Sequence, residues 1–154
     1  MINLLISDFD GVFTDNSVYI SENGIESVRC NRSDGMGIAL LKESGVEFIV
    51  CSSEKVNIAK YRANKIGFES FVNVKNKGNF IRNYLSKKSF NSSNVAYIGN
   101  DVNDLSAFDS VGYKIAVKDA YPEIILKADK ILNSKGGYGA VREACEHIIK
   151  INNN

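Results

Sequence analysis

The chain is poor in the residues from which many catalytic sites are built. It has one histidine, His147, and three widely spaced cysteines, Cys30, Cys51 and Cys145. No Cys or His pair has zinc-ligand spacing. A histidine metal site or a Ser-His-Asp triad would have to use His147 alone, and that residue falls in a C-terminal amphipathic pattern where a surface position is expected. An odd, sparse cysteine set suits reduced thiols in a cytoplasm better than a disulfide framework. An excess of charge of one sign is also lacking. The net charge is +1, which leaves no basic footprint for nucleic acid. No apolar run approaches the length that spans a membrane. The N-terminus has no basic region followed by an apolar run and a small-residue cleavage site, so no signal peptide is expected. Neither an internal repeat nor a linker interrupts the 154 residues, so a single domain over 1–154 is expected, with room for one core and not for two. At 44% apolar and 24% charged residues the composition is that of a soluble globular protein.

What is present begins at the N-terminus. Met1 to Ser7 is a short apolar run, followed by Asp8-Phe9-Asp10-Gly11-Val12-Phe13-Thr14-Asp15. A buried strand that stops at Asp-x-Asp-Gly places two carboxylates at its end, beside a glycine turn. Such carboxylates repel one another and are costly near an apolar core unless a cation or a proton offsets them. The plainer alternative is a turn with solvated acids, because Asp-Gly is common in turns.

Strand and helix patterns then alternate. Residues 3–7, 46–51, 71–74, 95–98, 113–117 and 128–132 read as strands. Residues 37–43, 56–66, 78–86, 105–107, 121–127 and 140–149 read as helices. Residues 17–20 and 27–30 read as a polar hairpin turning at Glu22-Asn23-Gly24. The tail from Asn152 to Asn154 is expected to fray. Continuous apolar strands alternating with helices predict an α/β, Rossmann-like parallel sheet in three layers. Ligands of such sheets bind at the carboxyl ends of the strands, near a switch in strand order. The polar residues after each strand should therefore converge: Asp8 and Asp10, then Ser52, Ser53 and Glu54, then Asn76 and Lys77, then Asn100, Asp101, Asn103 and Asp104.

Grouped acids with one amide oxygen and no nearby His or Cys suit a hard cation, so Mg²⁺ is favoured over zinc. A lysine and a hydroxyl aimed at the same place suit an anion with several oxygens, such as a phosphoryl group. One carboxylate can then act as nucleophile, giving an aspartyl phosphate. The second can act as general acid on the leaving oxygen and then as general base on water.

These residues resemble a known family. Asp8 to Asp15, Ser52, Lys77 and Gly99-Asn100-Asp101-Val102-Asn103-Asp104 resemble the four motifs of the haloacid-dehalogenase-like phosphatases, in the order and spacing of their small, capless branch. Asn31-Arg32-Ser33-Asp34-Gly35-Met36-Gly37-Ile38 and Gly136-Gly137-Tyr138-Gly139-Ala140-Val141-Arg142-Glu143 resemble segments of phosphatases of 2-keto-3-deoxy sugar acid phosphates. The resemblance runs over roughly residues 2–150. It implies a capless haloacid-dehalogenase-like fold with a β-hairpin insertion. It also implies that Asp8 is the nucleophile, Asp10 the acid and base, and Ser52 and Lys77 the contacts of the phosphoryl oxygens. Mg²⁺ would be held by Asp8, the Asp10 carbonyl and Asn100, with Asp101 or Asp104 supporting from behind. Asn100 is a departure, since many relatives have Asp there. An amide oxygen can still bind Mg²⁺, but it removes one negative charge from the site.

The resemblance leaves two substrate readings. Enzymes acting on 3-deoxy-octulosonate 8-phosphate usually show Thr-Gly-Arg after the second strand, where this chain has Ser52-Ser53-Glu54. The run from Glu54 through Arg62 to Lys65 is similar to that of 2-keto-3-deoxynononate 9-phosphate phosphatases, and Glu54 and Lys65 resemble their specificity pair. A nine-carbon sugar acid phosphate is thus expected, with the eight-carbon one as alternative; the plainer view of the run is a solvated helix face. Asn31 and Asp34 are further candidate substrate contacts. Arg142 is a candidate contact for carboxylate or phosphate through its planar donor set, or else pairs on the last helix. In capless relatives the hairpins assemble a tetramer whose subunits complete one another's sites, which implies a homotetramer; alone, the hairpin could be a decorated connection. The stretch Gly139 to Ile148 also resembles the C-terminal domain of animal-type CMP-sialate synthetases, which implies an oligomerising module. The presence of both Asp8 and Asp10 favours an enzyme. The expected partner is a small sugar acid phosphate, with no nucleic acid and no membrane.

Overall fold

A computed structural model describes residues 1–154. In chain order the elements are β1 (Leu4–Ser7), the hairpin strands β2 (Tyr19–Ile20) and β3 (Glu26–Ser27), α1 (Ser33–Glu43), β4 (Glu47–Cys51), α2 (Ile58–Ile66), β5 (Glu69–Phe71), α3 (Lys77–Lys88), β6 (Val95–Gly99), α4 (Leu105–Phe108), β7 (Tyr113–Ala116), α5 (Pro122–Lys127), β8 (Lys130–Ile131) and α6 (Ala140–Asn152). Every residue of β1 and β6 is buried, as expected of strands covered on both faces. The main sheet has the order β5-β4-β1-β6-β7-β8, and all its pairings are parallel. The chain leaves β1 toward β4 and β5, then returns to lay β6 on the other side. The carboxyl end of β1 is therefore the switch point where such sheets bind ligands. Helix α1 packs on α6, and α3 on α4. One cluster of 38 buried apolar side chains forms the core. No helix is long and apolar enough to cross a membrane.

The α/β, parallel-sheet reading of expectation holds, with local corrections. Helix α1 begins at Ser33, not Gly37. Gly35 and Gly37 are weak helix formers and mask a start that Asn31 supports, its Oδ1 accepting from Ser33 N at 2.9 Å. Strand β5 lies two residues earlier than its apolar run. The hairpin ladder is shorter than expected, pairing only Tyr19 with Ser27 and Ile20 with Glu26, because Cys30 instead bridges Thr14. Asn152 does not fray: its amide accepts from Ile2 N and donates to Ile2 O, both at 2.7 Å. His147 is half-buried rather than a plain surface residue. Its Nε2 lies 2.9 Å from Tyr113 Oη, and the two rings stack.

Candidate active site

The strand ends converge as the sheet geometry requires. Asp8 follows β1, Ser52 follows β4, Lys77 opens α3 and Asn100 follows β6, and all four side chains are buried. The Lys77 ammonium sits between two carboxylates, 2.8 Å from Asp8 Oδ1 and 2.7 Å from Asp104 Oδ1. Burial alone would lower the lysine pKa, but the two carboxylates outweigh it and hold the group charged. One cation cannot neutralise two acids. Burial and the Asp104 charge push Asp8 up to about 7, against the pull of Lys77. A carboxylate in that state needs further positive charge to stay ionised.

Asp104 is saturated. Its Oδ1 accepts from Lys77 and, at 2.6 Å, from Tyr97 Oη; its Oδ2 accepts from the Asn100 and Asp101 amides at 2.9 and 3.3 Å. A carboxylate offers about four lone-pair sites, so none is left for a cation. Asp104 is thus a support beneath the site, the place the resemblance implied for it, and not itself a metal contact. Asp101 lines the cleft but spends Oδ1 on Val102 N. Tyr97 was not foreseen from the sequence. The signal was available in principle, since a tyrosine in a fully buried strand must find a partner for its hydroxyl.

Above this base opens a cleft of about 150 Å³, lined by Asp8, Asp10, Asn16, Ser53, Glu54, Asn100, Asp101 and Asn103, with no apolar residue. A second hollow of about 180 Å³ shares Asp10, Asn16 and Glu54 and adds Ser52 and the apolar wall of Val18, Val28, Val56 and Ile58. The Asp10 carboxyl is raised, first by burial and then by Glu54, with Lys77 opposing. That direction suits a group that must carry a proton to a leaving oxygen.

No three His, Cys, Asp or Glu side chains converge on one point. A different donor set does. One end of the Asn100 carboxamide lies 3.0 Å from the Asp10 carbonyl oxygen and 3.3 Å from Asp8 Oδ2, and turning the amide plane places either its oxygen or its NH₂ there. Oxygens on adjacent vertices of an Mg²⁺ octahedron stand about 3 Å apart, given bonds near 2.1 Å. The carboxylate, carbonyl and amide oxygens of this chain therefore fit a hard divalent cation. Gly11 makes the approach possible. Its φ is +81°, and a Cβ there would lie 2.0 Å from the Asn100 amide nitrogen.

The other candidate contacts do not line this cleft within one chain. Asp34 is buried, and its Oδ1 accepts from Arg142 N at 3.0 Å, capping the start of α6 from α1. Asn31 spends its side chain on the start of α1, and its carbonyl accepts from Arg62. Arg62 and Lys65 line a separate groove with Arg32, Met36 and Tyr61. The Arg142 guanidinium pairs with Glu146 one turn along α6, at 2.5 Å. Of the residues expected to set specificity, Glu54 alone lines this cleft.

A parallel sheet that ends, at its switch point, in a buried carboxylate paired to a lysine and faced by a cation-ready oxygen set defines a hydrolase class. Comparison with known proteins agrees. A family model for haloacid dehalogenase-like hydrolases matches residues 73–144. The 3-deoxy-D-manno-octulosonate 8-phosphate phosphatase KdsC of Salmonella typhi is 35% identical over 149 residues, 96% of this chain and 79% of that protein. The crystal structure of the Moraxella catarrhalis 3-deoxy-D-manno-octulosonate 8-phosphate phosphatase, in complex with magnesium, phosphate and KDO, superposes with a TM-score of 0.94 at 30% identity, covering 99% of this chain and 88% of that one. The cobalt-bound Haemophilus influenzae deoxy-D-mannose-octulosonate 8-phosphate phosphatase gives 0.93 at 29% identity, over 99% and 90%. The chain belongs to the haloacid-dehalogenase-like phosphatases and is a phosphoric monoester hydrolase.

Proposed function

We propose that this chain, folded as a single domain, is an Mg²⁺-dependent phosphatase of a 2-keto-3-deoxy sugar acid phosphate. The observation that carries the reading is the Asp8–Lys77–Asp104 chain beneath a cleft whose floor is the Asp8, Asp10 and Asn100 oxygen set. A divalent cation held by Asp8, the Asp10 carbonyl and Asn100 supplies positive charge against the phosphoryl oxygens. Lys77 and Ser52 bind those oxygens from the protein side. The Asp8 carboxylate attacks phosphorus, the bond from phosphorus to the sugar oxygen breaks, and that oxygen takes a proton from Asp10. The Asp10 carboxylate then accepts a proton from water, which attacks phosphorus, frees phosphate and restores Asp8.

The relatives named above support the eight-carbon 8-phosphate as substrate. The nine-carbon reading keeps one specific support, Glu54 in the cleft. Its second member, Lys65, lies in another groove and could meet substrate only from a neighbouring subunit. The exposed side chains of Val18, Tyr19, Ile20 and Ile25 on the hairpin support assembly into a homotetramer, in which Arg62, Lys65 and Arg142 would face a neighbour's site.

Rates for the eight-carbon 8-phosphate and nine-carbon 9-phosphates, measured side by side with Mg²⁺ and with EDTA, test the reading. Turnover should require the metal. Asp8→Asn should fold yet lose at least about 10³-fold in kcat, because an amide cannot form the acyl phosphate. Glu54→Ala should raise KM for a nine-carbon substrate and spare a small phosphate ester. Equal losses on both would remove the remaining support for nine carbons.

A further inference from the structure

The Asn100 backbone is fixed on both sides. Its N–H donates to Asp104 Oδ2 at 2.9 Å, and its carbonyl accepts from Tyr121 N at 2.8 Å. The carboxamide retains one freedom, rotation of its plane about the bond to Cβ. That torsion is broad and two-fold, so its oxygen and nitrogen can exchange places at almost no steric cost. The two ends then face the same neighbours with opposite chemistry. With the oxygen toward the Asp10 carbonyl and Asp8 Oδ2, three acceptors meet and repel unless a cation lies among them. With the plane turned over, the NH₂ donates to the same two oxygens at 3.0 and 3.3 Å.

We propose that Asn100 is a two-position residue: its oxygen ligates the divalent cation, and in the metal-free protein the amide turns over and its NH₂ takes the cation's place between Asp10 and Asp8. This rests on the metal reading above. The chemistry is particular to an amide. A carboxylate at this position can ligate metal but cannot donate, so without a cation it leaves a third negative group against Asp8 and Asp104, with Lys77 as the one cation among them. Asn100 therefore exchanges some affinity for Mg²⁺ against a metal-free site that is internally satisfied. The Gly11 backbone bordering the amide leaves space for the planar group in either sense.

The test compares wild type with Asn100→Asp and Asn100→Ala, using thermal unfolding in EDTA and in saturating Mg²⁺, Mg²⁺ titration calorimetry, and exchange of the Asn100 side-chain amide protons by NMR. In EDTA, Asn100→Asp should melt about 2–4 °C or more below wild type, the shift of a single lost hydrogen bond in a domain of this size, and Asn100→Ala between the two. Saturating Mg²⁺ should close most of the gap for Asn100→Asp and leave Asn100→Ala below wild type. Mg²⁺ should bind Asn100→Asp about tenfold or more tightly than wild type. The Asn100 amide protons should exchange slowly in EDTA and faster once Mg²⁺ is bound. Equal melting of wild type and Asn100→Asp in EDTA, or amide exchange insensitive to Mg²⁺, overturns the proposal while leaving the metal reading in place. Absence of Mg²⁺ binding in both proteins overturns the two together.

Discussion

Tyr97 and Asp34 are both buried polar residues, yet they act in opposite ways. Tyr97 completes the lone pairs of Asp104, and so keeps Lys77 from being the sole donor to Oδ1. Tyr97→Phe should lose about 1.5–3 kcal/mol, the usual worth of a hydrogen bond to a charged group. It should also draw Lys77 toward Asp104 and raise KM for the phosphate ester. Urea unfolding and steady-state kinetics check the pair of effects; two unchanged values would mean an idle hydroxyl. Asp34 has one oxygen on Arg142 N and the other, Oδ2, without a partner. Burial pushes its carboxyl up to about 6, against the Arg142 N–H and the Arg62 charge. An acid whose folded pKa lies above its unfolded one holds its proton better in the folded chain. Its contribution to stability is thus greatest below pH 4, falls as pH rises through 4 to 6, and is flat above. The fall is up to about 3 kcal/mol. Asp34→Asn keeps the acceptor and removes the titration, so it should be the more stable protein at pH 7 and lack this slope. Parallel unfolding curves against pH would contradict that assignment.

Contacts between elements explain why some of the molecule can be read from the chain and some cannot. The carboxyl ends of the strands were legible, because apolar runs such as Val95 to Ile98 stop abruptly at polar residues and a parallel sheet gathers those stops at one edge. Asp8, Asp10, Ser52, Lys77 and Asn100 follow from that rule. Sequence pattern alone offers the Asp34 and Arg142 segments as substrate contacts, whereas in one chain they cap helix against helix across 108 positions of sequence. Local pattern cannot say whether a polar pair meets a ligand or each other. The C-terminal glycines hold another such long-range fact. A Cβ on Gly136 would stand 1.9 Å from the Gly11 carbonyl oxygen, and Gly137 N donates to Val12 O at 3.0 Å, so this loop presses on the loop that carries Asp10. Gly136→Ala sets backbone against backbone and should cost about 2–4 kcal/mol, with loss of turnover. Gly24→Ala, at φ +77° with open space around it, should cost about 1 kcal/mol and leave turnover intact. Differential melting of the two variants separates packing from backbone conformation.

At the scale of the whole molecule, the hairpin stands uncovered in a lone chain. A lone chain leaves Tyr19 60% and Ile20 69% exposed on a two-residue ladder, and an isolated hairpin of that size is marginal in water. Light scattering at micromolar concentration should report a tetramer, and Tyr19→Asp with Ile20→Asp should dissociate it and raise KM. A monomeric wild type would refute the assembly. The same molecule also carries its own optical gauge. It has seven tyrosines and no tryptophan, so no indole masks phenol emission. Of the seven, Tyr97 alone is wholly enclosed, with its hydroxyl on a carboxylate that shares its oxygen with Lys77. A phosphoryl group that draws Lys77 upward changes the charge beside that phenol. The emission of wild type minus that of Tyr97→Phe should therefore follow occupancy of the cleft, giving a label-free titration of phosphate or its analogues that needs no turnover at all.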